Sequence, residues 1–390
     1  MEADFRTLPD LAVRSLGGSV VWANDESFAA RQNLVLPAPA RFDPDSFDHR
    51  GKVYDGWETR RRREPGHDQA IVRLGVPGIV RGVVIDTAWF TGNYPPEASI
   101  EATSVSGYPS ADELNDTAVW ETIVARSALD GDGENAFPVE SAQRWTHVRL
   151  TIYPDGGVAR LRIHGDAVPD PRLLDIGGVD LAALEHGGLV VGCSDMFYGS
   201  PNNLLSPGRA RSMADGWETA RRRDDANDWV TVALAASGVI RMAELDTSYF
   251  LSNAPGWAAL HGCDASIGDP QRDADWFELL PRTRLAPDTR HQFLLDGERA
   301  VTHARLDIYP DGGMARLRLF GALAPEGRLG AGLRWFNALP PAAAVEVLMS
   351  ASGLTLQDAR ARVAVRPLTG VTSLPDQLRR LLAGTPVAPG

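Results

Sequence analysis

Two ten-residue phrases concentrate the reactive side chains of this sequence: DGWETRRRRE over Asp55–Glu64 and DGWETARRRD over Asp215–Asp224. Guanidinium groups grip a carboxylate through a bidentate fork. The four consecutive arginines, Arg60 to Arg63, therefore suit a clamp on a small anion. Glu58 beside them can act as an acid or a base. The same run also reads as a solvated basic loop anchored to the protein by Trp57. A second concentration, DTAWFTGNYPPEASIEA over Asp86–Ala102, adds the carboxylates Asp86 and Glu101 and the hydrogen-bonding side chains Thr91 and Asn93. We name Glu58, Asp86 and Glu101 as candidate catalytic residues. Candidate substrate-binding residues are Arg60, Arg61, Trp57, Thr91 and Asn93, with Glu218 and Arg222 from the second phrase.

Other reactive constellations are missing. The eight histidines are scattered, without HxH or HExxH, and the only cysteines are Cys193 and Cys263. No protein-built metal site is signalled. There is no GxSxG elbow, Walker loop or dinucleotide fingerprint. No cofactor is evident; a divalent metal assisting a water is compatible with hydrolytic chemistry but has no signal here.

What positions these residues is a duplication. DLAVRSLGGSVV begins at Asp10 and DLAALEHGGLVV at Asp180, an offset of 170. Trp57 and Trp217 differ by 160, as do DTAWF and DTSYF, while IYPDGGVARLRIHG and IYPDGGMARLRLFG differ by 156. Four landmarks in one order make the chain a tandem repeat. Asp86, Thr87, Phe90 and Asn93 have counterparts in Asp246, Thr247, Phe250 and Asn253, whereas Thr91, Gly92, Pro96 and Glu101 have none. A side chain found in one copy only is not demanded by the shared fold, which points to copy one's loop as the wall of a site.

Each copy reads as β. In THVRLTIY, Val148, Leu150 and Ile152 alternate with polar neighbours, the period of a strand. YPDGG then reads as a hairpin turn into VARLRIH. Asp10 and Asp180 read as N-caps of short helices. Short strands and abundant glycine predict all-β architecture: two tandem jelly-roll sandwiches, residues 1–170 and 171–336. PPAAAVEVLMSASG and SLPDQLRRLLAG have helical spacing, so residues 337–390 are predicted to be a helical tail.

The 390 residues carry a formal charge of -12, which argues against nucleic acid as a partner. No apolar run is long enough to span a membrane, the N-terminal MEADFRTLPDLAVRS lacks the apolar core of a signal peptide, and two cysteines suit a reducing cytoplasm.

GKVYDGWETRRRR, DTAWFTGNYPPEASIEA, YPDGGVARLRIHG and ADGWETARRR together resemble the allantoicase family, over roughly Leu8 to Phe336. The resemblance implies a hydrolase of purine degradation that cleaves allantoate to ureidoglycolate and urea, with two jelly-roll domains in a homo-oligomer. RWFNALPPAAAVEVLMSASG more weakly resembles the start of the ureidoimidazoline decarboxylase family. That family needs a histidine beyond this opening, and none follows His303, so the tail is expected to be non-catalytic. The alternative is a non-catalytic jelly-roll module that binds carbohydrate or a small anion.

Overall fold

The computed structural model describes residues 4–49, 51–370 and 375–384. Residues 371–374 and 385–390 of the expected tail lie outside them. The chain divides into two compact units, one built on residues 1–168 with 338–346 and one on 169–337 with 347–390.

The first unit is organised by one strand, Asp68–Asp86. Its first half lies between Ser19–Ala23 and Arg144–Tyr153, and its second half between Arg160–Ala167 and Glu134–Pro138. Glu97–Thr103 pairs with Arg144–Tyr153, and Glu121–Ala128 closes that edge. The register shifts between Arg73 and Gly78, so the long strand serves both layers of an antiparallel jelly-roll sandwich. Val148, Leu150 and Ile152 are fully buried, as their alternation predicts; each contributes roughly 1.5–3 kcal/mol by leaving water. The second unit repeats the plan around Asp228–Asp246, flanked by Leu189–Cys193, Val301–Tyr309, Arg316–Leu323 and Arg290–Leu294.

Two local expectations are corrected. YPDGG does not close a hairpin, because Arg144–Tyr153 and Arg160–Ala167 pair with different stretches of Asp68–Asp86 rather than with each other. The turn, with a cis Tyr153–Pro154 bond, instead delivers Gly157–Val158 to a short ladder with Trp57–Glu58. Asp10 and Asp180 are not N-caps: the short 3-10 turns that follow start after Val13 and Ala183. Asp10 Oδ1 accepts from the amides of Ala12 and Ile163 at 3.0 and 2.9 Å. Asp180 does the same with Ala182 and Leu319, so each ties the entry segment to the sheet.

Helix begins earlier than Asn337. The first tail helix is Pro325–Ala338, within the span assigned to the second sandwich, and is followed by Pro341–Ser352, Leu356–Val363 and Asp376–Ala383. Glycines disguise it in sequence, and two of the three are required by close packing. A Cβ at Gly327 would sit 2.1 Å from the Ser237 carbonyl oxygen, and one at Gly332 2.2 Å from that of Leu382.

Candidate functional site

Trp57–Glu58 is a two-residue strand held on both sides. Glu58 faces Gly157 in one ladder and Ala29 in an isolated bridge on the other edge. Alternation sends the two side chains opposite ways. Trp57 enters the core with no exposed surface, and its indole N–H donates to the Asp25 carbonyl at 2.7 Å.

Glu58 is only 8% exposed. The Asn93 amide donates to its Oε1 at 2.6 Å, while Oε2 is buried without a hydrogen-bond partner among the described residues. Asn93 is itself fixed, since its carbonyl accepts the Gly157 N–H at 2.7 Å. Burial pushes the Glu58 carboxyl above its ordinary pKa, and the Asn93 hydrogen bond partly opposes the shift. A carboxyl so placed can hold a proton at a pH where an exposed glutamate has lost it.

The arginines divide by neighbour. Arg62 is structural: its amide donates to Asp155 of the YPDGG turn at 2.7 Å, and its Nη1 to buried Asp68 at 2.8 Å. Arg60 is 3.3 Å from Asp25 with its side chain 76% exposed. Arg61 is exposed and makes no hydrogen bond or ion pair among the described residues. An uncommitted guanidinium three residues beyond the strand is available to an incoming anion.

The loop after Asp86 supplies the facing side. Phe90 packs so tightly on the turn that a Cβ at Gly157 would lie 2.0 Å from its ring. Thr91 is exposed at the head of the same loop as Asn93. Asp86 ends the long strand, and its Oδ1 accepts the Ala88 amide at 2.8 Å. Burial raises its pKa, the Ala88 amide opposes that, and nearby Arg162 and Arg160 oppose it further. Arg160 is buried and donates to both oxygens of the Asp55 carboxylate, at 2.9 and 2.8 Å. Asp86 thus belongs with Asp55 and Arg160, and no hydrogen bond links it to Glu58 among the described residues. Glu101 lies in the sheet, opposite Arg149, which bonds it at 2.8 and 2.7 Å. It is four residues along the strand from Glu97 at the turn end, or ~13 Å at 3.3 Å per residue. The structure joins Glu58 to Asn93, leaves Arg60, Arg61 and Thr91 exposed on the two segments that carry that pair, and places Asp86 beside Asp55 and Arg160, Glu101 in a sheet ion pair and Trp57 in the core.

The second copy rebuilds the frame. Asn253 donates to Glu218 at 2.7 Å, and the Arg222 amide and Nη1 reach Asp311 and Asp228 at 2.8 and 2.6 Å. Arg222 is thus the twin of Arg62. Ala220 stands where copy one has Arg60, and Leu251 where it has Thr91. Sequence reading missed the supporting carboxylates Asp25, Asp68 and Asp155. Their signal was available, since Asp195, Asp228 and Asp311 repeat them at the offsets of 170, 160 and 156.

Among the described residues, no three His, Cys, Asp or Glu side chains converge to hold a metal ion, and no helix is long and apolar enough to cross a membrane.

The model of the allantoicase repeat matches twice, over residues 9–168 and 179–324. The chain belongs to the allantoicase family. It is 59% identical over 321 residues to a probable allantoicase of Nocardia farcinica, covering 82% of this chain and 95% of that protein. It is 43% identical over 317 residues to the allantoicase of Dictyostelium discoideum, covering 80% and 86%. The crystal structure of allantoicase from Saccharomyces cerevisiae matches with a TM-score of 0.71 at 34% identity, over 82% of this chain and 97% of that one. The two allantoicase repeats coincide with the two sandwiches, and the helices from Pro325 onward follow the second repeat.

Proposed function

We infer that this protein is an allantoicase, hydrolysing allantoate to ureidoglycolate and urea, with copy one's Glu58 as the proton donor. Membership of the family along both repeats carries the activity. The buried, partly satisfied Glu58 carboxyl supports the residue assignment.

The reaction breaks one C–N bond at the carbon that bears the substrate carboxylate and two ureido groups. In our reading Arg61, with Arg60 beside it, holds the carboxylate. Glu58 gives its proton to the departing ureido nitrogen, which leaves as urea. Water supplies hydroxyl to the central carbon, and its remaining proton returns to the Glu58 carboxylate, so the enzyme ends as it began. Thr91 offers a hydroxyl to the ureido group that stays. Asp86 acts at one remove, beside the Asp55–Arg160 pair. No cofactor is assigned, because side chains supply both the clamp and the acid. We extend the reading to a cytoplasmic homo-oligomer without nucleic-acid or membrane partners; the net charge of -12 and the two free cysteines support it.

Urea and glyoxylate release from allantoate by the purified chain tests the activity. Turnover is expected with allantoate and not with allantoin. Absence of urea from a folded protein overturns the reading.

A further inference from the structure

The outer face of the second repeat's sheet carries a pocket of about 430 Å³, within the ~300–1,000 Å³ typical of small-ligand sites. Trp229 and Thr231 project from the long strand, His303 and Arg305 from the neighbouring one, and the loop bearing Asp269, Gln271 and Asp273 closes it. Thr231 lies opposite both Gly192 and Arg305 in the ladders, so these residues share one face.

Gly192 is what leaves the indole uncovered. A Cβ there would contact the six-membered ring of Trp229 at 3.5 and 3.7 Å. The first repeat has Trp22 at this position and Gln69 in place of Trp229. The shared fold thus accepts a filled arrangement, and the open one is particular to copy two.

The polar groups are arranged around that ring. Arg305 is held by Asp307 at 3.3 Å and Asp273 at 3.0 Å and lies over Trp276, 5.3 Å from its centroid. Its Nη2 has no partner among the described residues. His303 uses Nδ1 on the Thr302 hydroxyl at 2.9 Å, leaving Nε2 for a ligand; burial lowers its pKa, so the ring is neutral near pH 7. Asp269 accepts the Gln271 amide at 2.9 Å with one oxygen, which leaves the other as an acceptor.

We propose that this pocket binds a flat, uncharged ring bearing alternating N–H and C=O groups, stacked on Trp229 between the donor Arg305 and the acceptor Asp269. Flat walls favour a flat ligand, because an indole gains most from face-to-face contact with another π-system. Donors and acceptors on opposite sides match the two edges of a cyclic ureide or pyrimidinedione. The site belongs to the second repeat and does not depend on the catalytic reading.

The test is calorimetric titration of the full chain with hydantoin and with uracil, beside methyl glucoside as a non-planar polyol. Either flat ring should bind saturably. Binding should weaken on the order of tenfold or more in the double variant Gly192→Trp/Trp229→Gln, which rebuilds the first repeat's own pair. Trp229→Gln alone should weaken it too, with melting temperature and allantoate turnover unchanged in both. The proposal is overturned if neither ring binds, if both variants bind as the wild type does, or if the polyol binds in their place.

Discussion

A carboxyl that must lend a proton near neutral pH needs its charge disfavoured, and Glu58 has that environment while remaining tethered at one oxygen. Glu58→Gln keeps the shape and removes the proton, so kcat should fall by about 10²-fold or more. Glu218→Gln is the control, and equal losses in the two variants, read from steady-state rates, would move the site out of copy one alone. Asn93, expected to bind substrate, is a positioning residue for Glu58, to which its side-chain amide donates. Its hydrogen bond favours the ionised carboxylate. Asn93→Ala should therefore raise the Glu58 pKa and carry the alkaline limb of kcat/KM, where the acid loses its proton, to higher pH. A pH–rate profile that keeps its limb in place would remove Asn93 from this role without touching Glu58. At this scale the sequence was half legible. The phrase and its repetition stood out, but which arginines are committed depends on Asp25, Asp68 and Asp155, partners marked in the sequence only by their repetition in copy two.

Between elements, the two repeated phrases turn out to be halves of one joint. The YPDGG turn grips the arginine phrase through Asp155 to the Arg62 amide, and through the Gly156 carbonyl to the Thr59 amide at 3.1 Å. That mating explains why both phrases recur in each copy, since neither half is useful alone. Asp155→Ala should cost about 1–3 kcal/mol, the range for leaving a partly buried donor unsatisfied, and should lower catalytic efficiency by displacing Glu58 and Arg61. Asp311→Ala should lower the melting temperature similarly and spare turnover; thermal melts beside kinetics separate the two. Alternation in THVRLTIY and VARLRIH identified strands correctly, yet misread their pairing. Periodicity reports which face of a strand is buried and carries no information about its neighbour, and here a 19-residue strand takes both runs on its own edges. The same sheet holds His147, where burial first, and the Arg73 charge second, lower the pKa to about 4 from 6.5. A histidine kept neutral in the fold contributes stability that is complete above pH 6.5 and is lost as pH falls towards 4. The full loss is about 3 kcal/mol. His147→Gln should flatten that part of the acid limb in urea unfolding measured from pH 7 to 4.

For the whole molecule, the tail raises the question of where the second repeat ends. Glycines at 327, 330 and 332 made Pro325–Ala338 look unlike a helix. At Gly327 and Gly332 the reason is tertiary, since the backbone of Ser237 and of Leu382 approaches within reach of a Cβ. Arg328, 5% exposed, donates to Asp175 and to the Leu382 carbonyl at 2.8 Å. Asn337 exchanges two hydrogen bonds with Leu368, at 3.0 and 2.8 Å. A chain ending at Asn337 therefore keeps Asp175 beside Arg328 but loses the Leu382 carbonyl that the buried guanidinium also bonds, the cover over Gly332, and the apolar surface buried by Leu378 and Leu382. We expect that truncation to lower the melting temperature by several degrees, since leaving a buried donor of Arg328 unsatisfied costs about 1–3 kcal/mol. Turnover per folded molecule should persist, because Glu58, Asn93 and Arg61 all belong to the first repeat. Differential scanning calorimetry with active-fraction kinetics on the shortened chain checks both halves of the expectation. A stable truncated chain without turnover would give the tail a part in catalysis, whereas a fall in melting temperature alone makes it the clasp of the second sandwich.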